Sequence, residues 1–265
     1  MKKLIVNADD YGYTPGVVDG ILKAHHEGVV TSTTILINSP HLEAALAKLK
    51  SAPKLDLGLH LNITWGKPVS SPDKVRSLIG ENGNFIRRTQ FEDVDLDEVG
   101  LEWRAQVAKA RGQNIKLTHL DTHHHTHRHP ALLDIIAEIA GEEKLAVRSQ
   151  EPWIRDYLRA NHIPTPDYFI EDFYGEGKTT LTHLEDLLRF IPDGFTEVCC
   201  HPAIVDEELR KTSSYNNPRN EELAVLTSPE LKSWLAEDKI TPGVFPELPT
   251  PTGAPDKSCE LKPEV

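Results

Sequence analysis

The chain predicts an α/β protein of (β/α) barrel-like architecture, with seven to eight mainly parallel strands and helices outside them. Short aliphatic or β-branched runs alternate with stretches of helical length through most of the 265 residues. Carboxylates and imidazoles recur where a predicted strand gives way to a loop, the working face of such folds. An open doubly wound sheet is the runner-up.

The elements follow in order. Leu4 to Asn7 reads as the first strand. Thr14-Pro15 opens a helix to about His26, with proline at a first-turn position and Gly28 as the stop. Ser32 to Ile37 is a second strand, His41 to Lys50 a helix and Leu55 to Leu61 a third strand. Periodicity then fails from Asn62 to Asp95, where Gly66, Pro68, Pro72, Gly80 and Gly83 mark a long insertion of the kind that usually serves function. Asp97 to Gly112 is an amphipathic helix, Lys116 to Asp121 a strand, Pro130 to about Glu142 a helix and Leu145 to Arg148 a strand. Weaker signals place a helix at Trp153 to Asn161, a strand near Tyr168 and a helix from Leu181 to Phe190. Thr196 to Cys200 is a further strand, and helices close the pattern at Asn220 to Leu226 and Pro229 to Glu237. This gives one domain over residues 1–240. Residues 241–265 form a tail with six prolines from Pro242 onward, expected to be irregular.

Composition limits the function classes. Lys and Arg number 29 against 41 Asp and Glu, a net charge of −12 without a basic run, which argues against nucleic acid or an anionic membrane as partner. No apolar stretch approaches the length of a membrane span, and the N-terminus enters its first strand too quickly for a signal peptide. Adjacent strand residues point to opposite faces, so Cys199 and Cys200 are not expected to bridge, and Cys259 is the third thiol. A soluble cytoplasmic protein is the expectation. Its oligomeric state is open, and a homo-oligomer is compatible with the sequence.

Two clusters carry the chemistry. Asn7-Ala8-Asp9-Asp10 follows the first apolar run, and His119 to His129 holds six histidines in eleven residues. Imidazoles and carboxylates are the usual ligands of divalent metals. A histidine tract alone is compatible with a solvated, weakly binding segment. Here an apolar strand precedes it and a helix opened by Pro130 follows, which points to an active site. His60 ends the third strand and His201-Pro202 follows the strand ending at Cys200, so four strand exits offer ligands or proton carriers. If the histidine segment stays extended, His119, Asp121, His123, His125 and His127 share one face. Which imidazoles reach a metal is not decided by spacing.

Asn7-Ala8-Asp9-Asp10-Tyr11-Gly12, Gly28 through Thr34, Gly58-Leu59-His60-Leu61, Thr118 through His127 and His201-Pro202 resemble the YdjC-like carbohydrate deacetylases, a family that includes chitooligosaccharide deacetylases. Gly83-Asn84-Phe85, Val147-Arg148 and the run from Tyr215 through Arg219 to Leu223 are smaller matches, and the resemblance spans roughly residues 3–240. Ile240 to Phe245 only loosely resembles the family's last strand.

The resemblance implies that one divalent metal, Mg2+ or Zn2+, is held by Asp10, His60 and His123, leaving positions for water and the acetyl oxygen. It further implies Asp9 as general base and His201 as the acid that protonates the departing amine. Asp121 is expected to orient a histidine and Arg148 to hold Asp9 ionised. His125 and His127 are expected to line the cleft, and Tyr215 and Arg219 to contact substrate or support the site. The implied activity is metal-dependent hydrolysis of the acetyl group of N-acetylated amino sugars, short chito-oligosaccharides or phosphorylated derivatives. The alternatives are metal-dependent hydrolysis of another bond (a phosphoester or a non-sugar amide) and a catalytically silent sugar- or metal-binding protein.

Overall fold

The computed structural model describes residues 1–87, 91 and 93–252. Cys259 and the end of the proline-rich tail lie outside the described residues. Contacts divide the chain into two compact units. The first comprises Met1–Ile35, His41–Leu57 and Pro166–Leu248, the second Leu36–Pro40, Gly58–Thr165 and the chain from Pro249.

In the first unit, β1 (Lys2–Tyr11) is the central strand. It pairs in parallel with β2 (Ser32–Ile35) and with β7 (Gly194–Cys200), and β7 pairs in parallel with β6 (Tyr168–Ile170). β8 (Thr241–Pro242) adds to β1 in parallel at Lys3 and Leu4, so the chain just beyond residue 240 is built into the sheet. The turn that follows buries Phe245, whose N–H donates to Asp56 at 3.1 Å.

Helix α1 (Pro15–His26) starts where expected because Thr14 caps it, its Oγ1 accepting from Val17 N, and Pro15 needs no N–H partner in the first turn. Val17, Val18, Ile21 and Leu22 form its buried stripe. Gly20 on that helix lets the backbone at Ala203 approach so closely that a Cβ would overlap it. This unit also holds α2 (Leu42–Leu49), α6 (Leu181–Arg189), α7 (Glu207–Thr212), α8 (Asn217–Leu226) and α9 (Pro229–Glu237).

The second unit takes over β3 (Asp56–Leu61) from Gly58 onward and pairs it in parallel with β4 (His119–Thr122), which pairs in parallel with β5 (Ala146–Val147). Helices α3 (Leu96–Gly112), α4 (Pro130–Glu143) and α5 (Pro152–Ala160) follow the predicted positions within two residues. From Asn62 to Ser77 the insertion is tied to α3. Glu102 of α3 is fully buried and accepts from Val69 N at 2.8 Å and Ser70 N at 2.9 Å, while Glu98 accepts from Ser77 N at 2.7 Å. Gln106, one turn on, exchanges two bonds with the backbone of Asn62. A polar i, i+4 ladder thus holds the insertion by its backbone donors, which the absence of periodicity hides.

These parallel pairings, alternating with helices along the chain, make the protein an α/β protein of the (β/α) barrel-like class. Among the described residues no helix is long and apolar enough to cross a membrane.

Candidate active site

The first unit places Asp9 and Asp10 inside β1, not in a loop after it as the sequence suggests. The ladder with β7 continues to Ala8 opposite Cys200 and β2 pairs again at Tyr11 opposite Ile35, and these flanking pairings outweigh the poor strand propensity of aspartate. Both carboxylates are 2 % exposed. The register toward β2 slips between Ala8 and Tyr11, and Asp10 sits at φ 72°, a left-handed conformation costly for a residue with a Cβ. Strict alternation, which would send neighbours to opposite faces, is interrupted there. Asp9 Oδ1 accepts from Asn7 Nδ2 at 2.9 Å, and Cys199 Sγ lies 3.2 Å from Oδ2. Asp10 Oδ2 accepts from Arg219 Nη2 at 2.7 Å.

Helix α8 supplies the support. Its buried positions Arg219, Glu222, Leu223 and Leu226 follow the i, i+3, i+4, i+7 spacing, with two charged residues on the apolar stripe. Arg219 Nε also donates to Tyr215 O at 2.9 Å, and its guanidinium carbon lies 5.5 Å from the Tyr215 ring centroid. Glu222 is fully buried and receives the backbone N–H of His201 and the hydroxyl of Tyr215. Burial drives its carboxyl up to about 8. Burial also raises the Tyr215 hydroxyl, with the nearby Glu222 charge adding to it. Tyr174 stacks on Tyr215 with centroids 4.0 Å apart, and the His201 ring meets both edge-on at 5.5 and 5.8 Å.

The segment from Ala203 to Arg219, in which the sequence marks no element, contains α7 and is tied down at several points. Gly16 N donates to Asp206 at 2.7 Å, Ile204 N to Gly16 O at 2.9 Å, and Tyr13 OH to Thr212 O at 2.9 Å. These bonds join distant stretches of chain, which is why local composition misses them.

In the second unit, His60 and Asp121 face each other across the β3–β4 ladder. His60 Nδ1 lies 2.6 Å from Asp121 Oδ1, and Arg148 Nη1 lies 3.0 Å from Asp121 Oδ2, all three side chains being at most 2 % exposed. A carboxylate only accepts, so Nδ1 of His60 carries the proton and, in the neutral ring, Nε2 carries the lone pair. That nitrogen is 3.3 Å from Nδ1 of His123. β4 is able to align His119 and Asp121 against β3 because Gly58 has no Cβ, which would overlap the His119 ring.

Beyond Thr122 the histidine segment abandons the extended form. Residues His123–Arg128 form a 3-10 turn, with His124 at φ 57° and His125 at φ 53°. The period-two face therefore ends at Thr122. His127 is fully buried, with Nε2 3.0 Å from Arg148 O and Nδ1 2.7 Å from Thr122 Oγ1. Burial holds its pKa down to about 3, so it is a neutral structural tie. Lining a cleft does not fit a side chain with no exposed surface. His125 is half-buried and His124 is exposed, bonded to Thr64 Oγ1 at 2.8 Å.

Two imidazole nitrogens of a tetrahedral centre, each 2.0–2.1 Å from the ion, lie about 3.3 Å apart. His60 and His123 fit that spacing, and the carboxylate behind His60 is the usual outer partner of a ligating histidine. A family model described as YdjC-like protein matches residues 3–237. The chain belongs to the YdjC-like family. It is 40% identical over 258 residues to a carbohydrate deacetylase of Brevibacillus brevis, covering 93% of this chain and 99% of that one. It is 36% identical over 242 residues to a carbohydrate deacetylase of Thermoanaerobacter pseudethanolicus, covering 91% and 96%. A solved structure from Enterococcus faecalis V583, provisionally described as a cellobiose-phosphate cleavage protein, superposes with a TM-score of 0.87 at 37% identity, covering 92% of this chain and 98% of that one.

Within this YdjC-like chain the structure brings Asp9 to Cys199, Asp10 to Arg219, and His60 to Asp121 and His123, and it gives Arg148 to Asp121. Sequence reasoning missed Glu222, Tyr174 and Cys199. Glu222 had a signal: an acidic residue three after Arg219, on the stripe that ends in Leu223 and Leu226.

Proposed function

We propose that this YdjC-like protein is a metal-dependent hydrolase that removes acetyl groups from N-acetylated amino sugars, short chito-oligosaccharides or phosphorylated derivatives. The observation that carries the reading is the 3.3 Å approach of the His60 and His123 nitrogens, with His60 anchored on Asp121. The carbohydrate deacetylases among its relatives give the substrate class. Asp10, His60 and His123 would hold one divalent ion, Mg2+ or Zn2+. When bound, that ion supplies Lewis acidity to the acetyl carbonyl and to a water.

The chain's own groups handle the protons. Asp9 takes a proton from water as general base, its carboxylate oriented by Asn7 at Oδ1 and by the Cys199 thiol at Oδ2. His201, as imidazolium, gives a proton to the departing sugar amine. Its backbone is fixed by Glu222, so the ring keeps its place at the end of β7. Arg219 balances the charge of Asp10 and fixes its orientation. The stacked faces of Tyr174 and Tyr215 beside His201 suit a sugar ring, with Tyr174 46 % exposed. Cys199 and Cys200 are buried and not disulfide-bonded, which fits a reducing, cytoplasmic compartment.

The test separates the two aspartates by acetate release from N-acetylated sugars, with and without a chelator, alongside metal titration. Asp10→Asn is expected to lose metal affinity and turnover together. Asp9→Asn is expected to keep the metal while turnover drops about 10²–10⁴-fold, the usual worth of a general base. Unchanged turnover in both variants, or activity indifferent to the chelator, would overturn the proposal.

A further inference from the structure

We propose that Asp9, Cys199 and His201 form a second cation site, suited to a soft divalent ion such as Zn2+, and that its occupation arrests the enzyme. All three residues belong to the first unit. Cys199 lies in β7 and His201 directly follows its last residue, close enough for thiol and imidazole to reach a common ion. The β1–β7 ladder sets Asn7 opposite Cys199, and Asp9 reaches Cys199 from the neighbouring strand. One ligand atom of each, a carboxylate oxygen, a thiol sulfur and an imidazole nitrogen, all lie within 4.8 Å of one another.

The spacing suits Zn2+. With Zn–S near 2.3 Å and Zn–O near 2.1 Å, tetrahedral ligands stand about 3.6 Å apart, and Cys199 Sγ is 3.2 Å from Asp9 Oδ2. A few tenths of an ångström of opening admits the ion. The sulfur sets the selectivity: thiolate favours Zn2+ or Cd2+ and disfavours Mg2+, whereas the proposed hydrolytic metal has only nitrogen and oxygen donors. Asp9 and Cys199 are buried and His201 is half-exposed, so entry is past the imidazole.

Binding releases the Cys199 thiol proton, and a second proton from His201 where its ring is the imidazolium. The Cys199 thiol loses its proton to solvent as the Zn–S bond forms, Asp9 binds as the carboxylate and His201 through the lone pair of its neutral ring. The ion then occupies the oxygen that takes the water's proton and the nitrogen that would give one to the amine. The arrest rests on the catalytic roles proposed above, but the cation site does not.

Cys200 is the internal control. It is the adjacent residue, its Sγ pointing instead to Asn7 O at 3.4 Å. In full-length protein carrying Cys259→Ala, Cd2+ titration is expected to raise a thiolate-to-Cd2+ charge-transfer band that saturates at one thiolate per chain. Cys199→Ala, and the near-isosteric Cys199→Ser as a check on folding, should abolish the band. Cys200→Ala should keep it, and His201→Ala should weaken Cd2+ binding about 10–100-fold. In parallel, Zn2+ titrated against acetate release in excess Mg2+ should inhibit the parent at least about 10-fold more potently than Cys199→Ser. A band that survives in folded Cys199→Ser, or vanishes in Cys200→Ala, overturns the site. Equal Zn2+ inhibition of the parent and Cys199→Ser overturns the arrest. A protein that shows the band but releases no acetate under any condition refutes the deacetylase reading and leaves the cation site standing.

Discussion

Replacing Asp121 by Asn tests the polar centre of the second unit with almost no change of shape. Both oxygens of Asp121 are engaged, Oδ1 by His60 Nδ1 at 2.6 Å and Oδ2 by Arg148 Nη1 at 3.0 Å. An amide offers one acceptor and one donor: with its nitrogen toward Arg148 an N–H faces an N–H, and with its nitrogen toward His60 the ring must shift its proton to Nε2, the nitrogen that faces His123. The variant also leaves a fully buried guanidinium beside a neutral group. Breaking a buried pair from one side costs about 3–5 kcal/mol. Other polar contacts of Arg148 place the expected loss at the lower end, about 3 kcal/mol. A domain with roughly 5–15 kcal/mol of stability stays folded at that cost. Urea unfolding should show a lower midpoint at an unchanged slope. Because the same change frees the His60 ring, metal affinity should fall about 10–100-fold. A stability change under about 0.5 kcal/mol would refute the buried-pair argument. Lost stability with undiminished metal affinity would refute His60 as a ligand.

Burial raises Glu222 from 4.5 to about 8, so the folded protein keeps a proton that the unfolded chain releases above about 4.5. Its contribution is full below that pH and is lost as pH rises toward 8; Glu222→Gln should flatten the fall in urea midpoint between about pH 5 and 8, and parallel pH curves would contradict the assignment. Lys144 ends α4 exposed at φ 58° and ψ 45°, so Lys144→Gly should raise the unfolding free energy by about 1 kcal/mol, and a lower midpoint would show that its side chain matters to the cap. Tyr174→Ala removes the exposed half of the stacked pair and should raise KM for an N-acetylated sugar about 2- to 10-fold with little change in kcat, an unchanged KM arguing against stacking.

Much of this protein is legible in one dimension. Alternation of strand-length and helix-length runs implies the (β/α) class, and Thr14-Pro15 and Pro130 mark two helix starts because caps and proline act within a turn. The clustering of Asp9, Asp10, His60, His123 and His201 near strand ends is likewise a matter of local spacing. Only the tertiary structure decided what depends on partners far along the chain. β1 runs on through Asp10 because β7, nearly two hundred residues later, pairs with it as far as Ala8 and β2 pairs with it again at Tyr11. The histidine segment turns at Thr122, and His127 is sealed between Thr122 and Arg148 in place of facing a cleft. Glu102 and Glu222 look like surface charges in the sequence, yet each is fully buried against backbone N–H groups that no local pattern reveals. Propensity, capping and periodicity are set by near neighbours, whereas the burial of a charge and the donors that satisfy it exist only once distant segments meet.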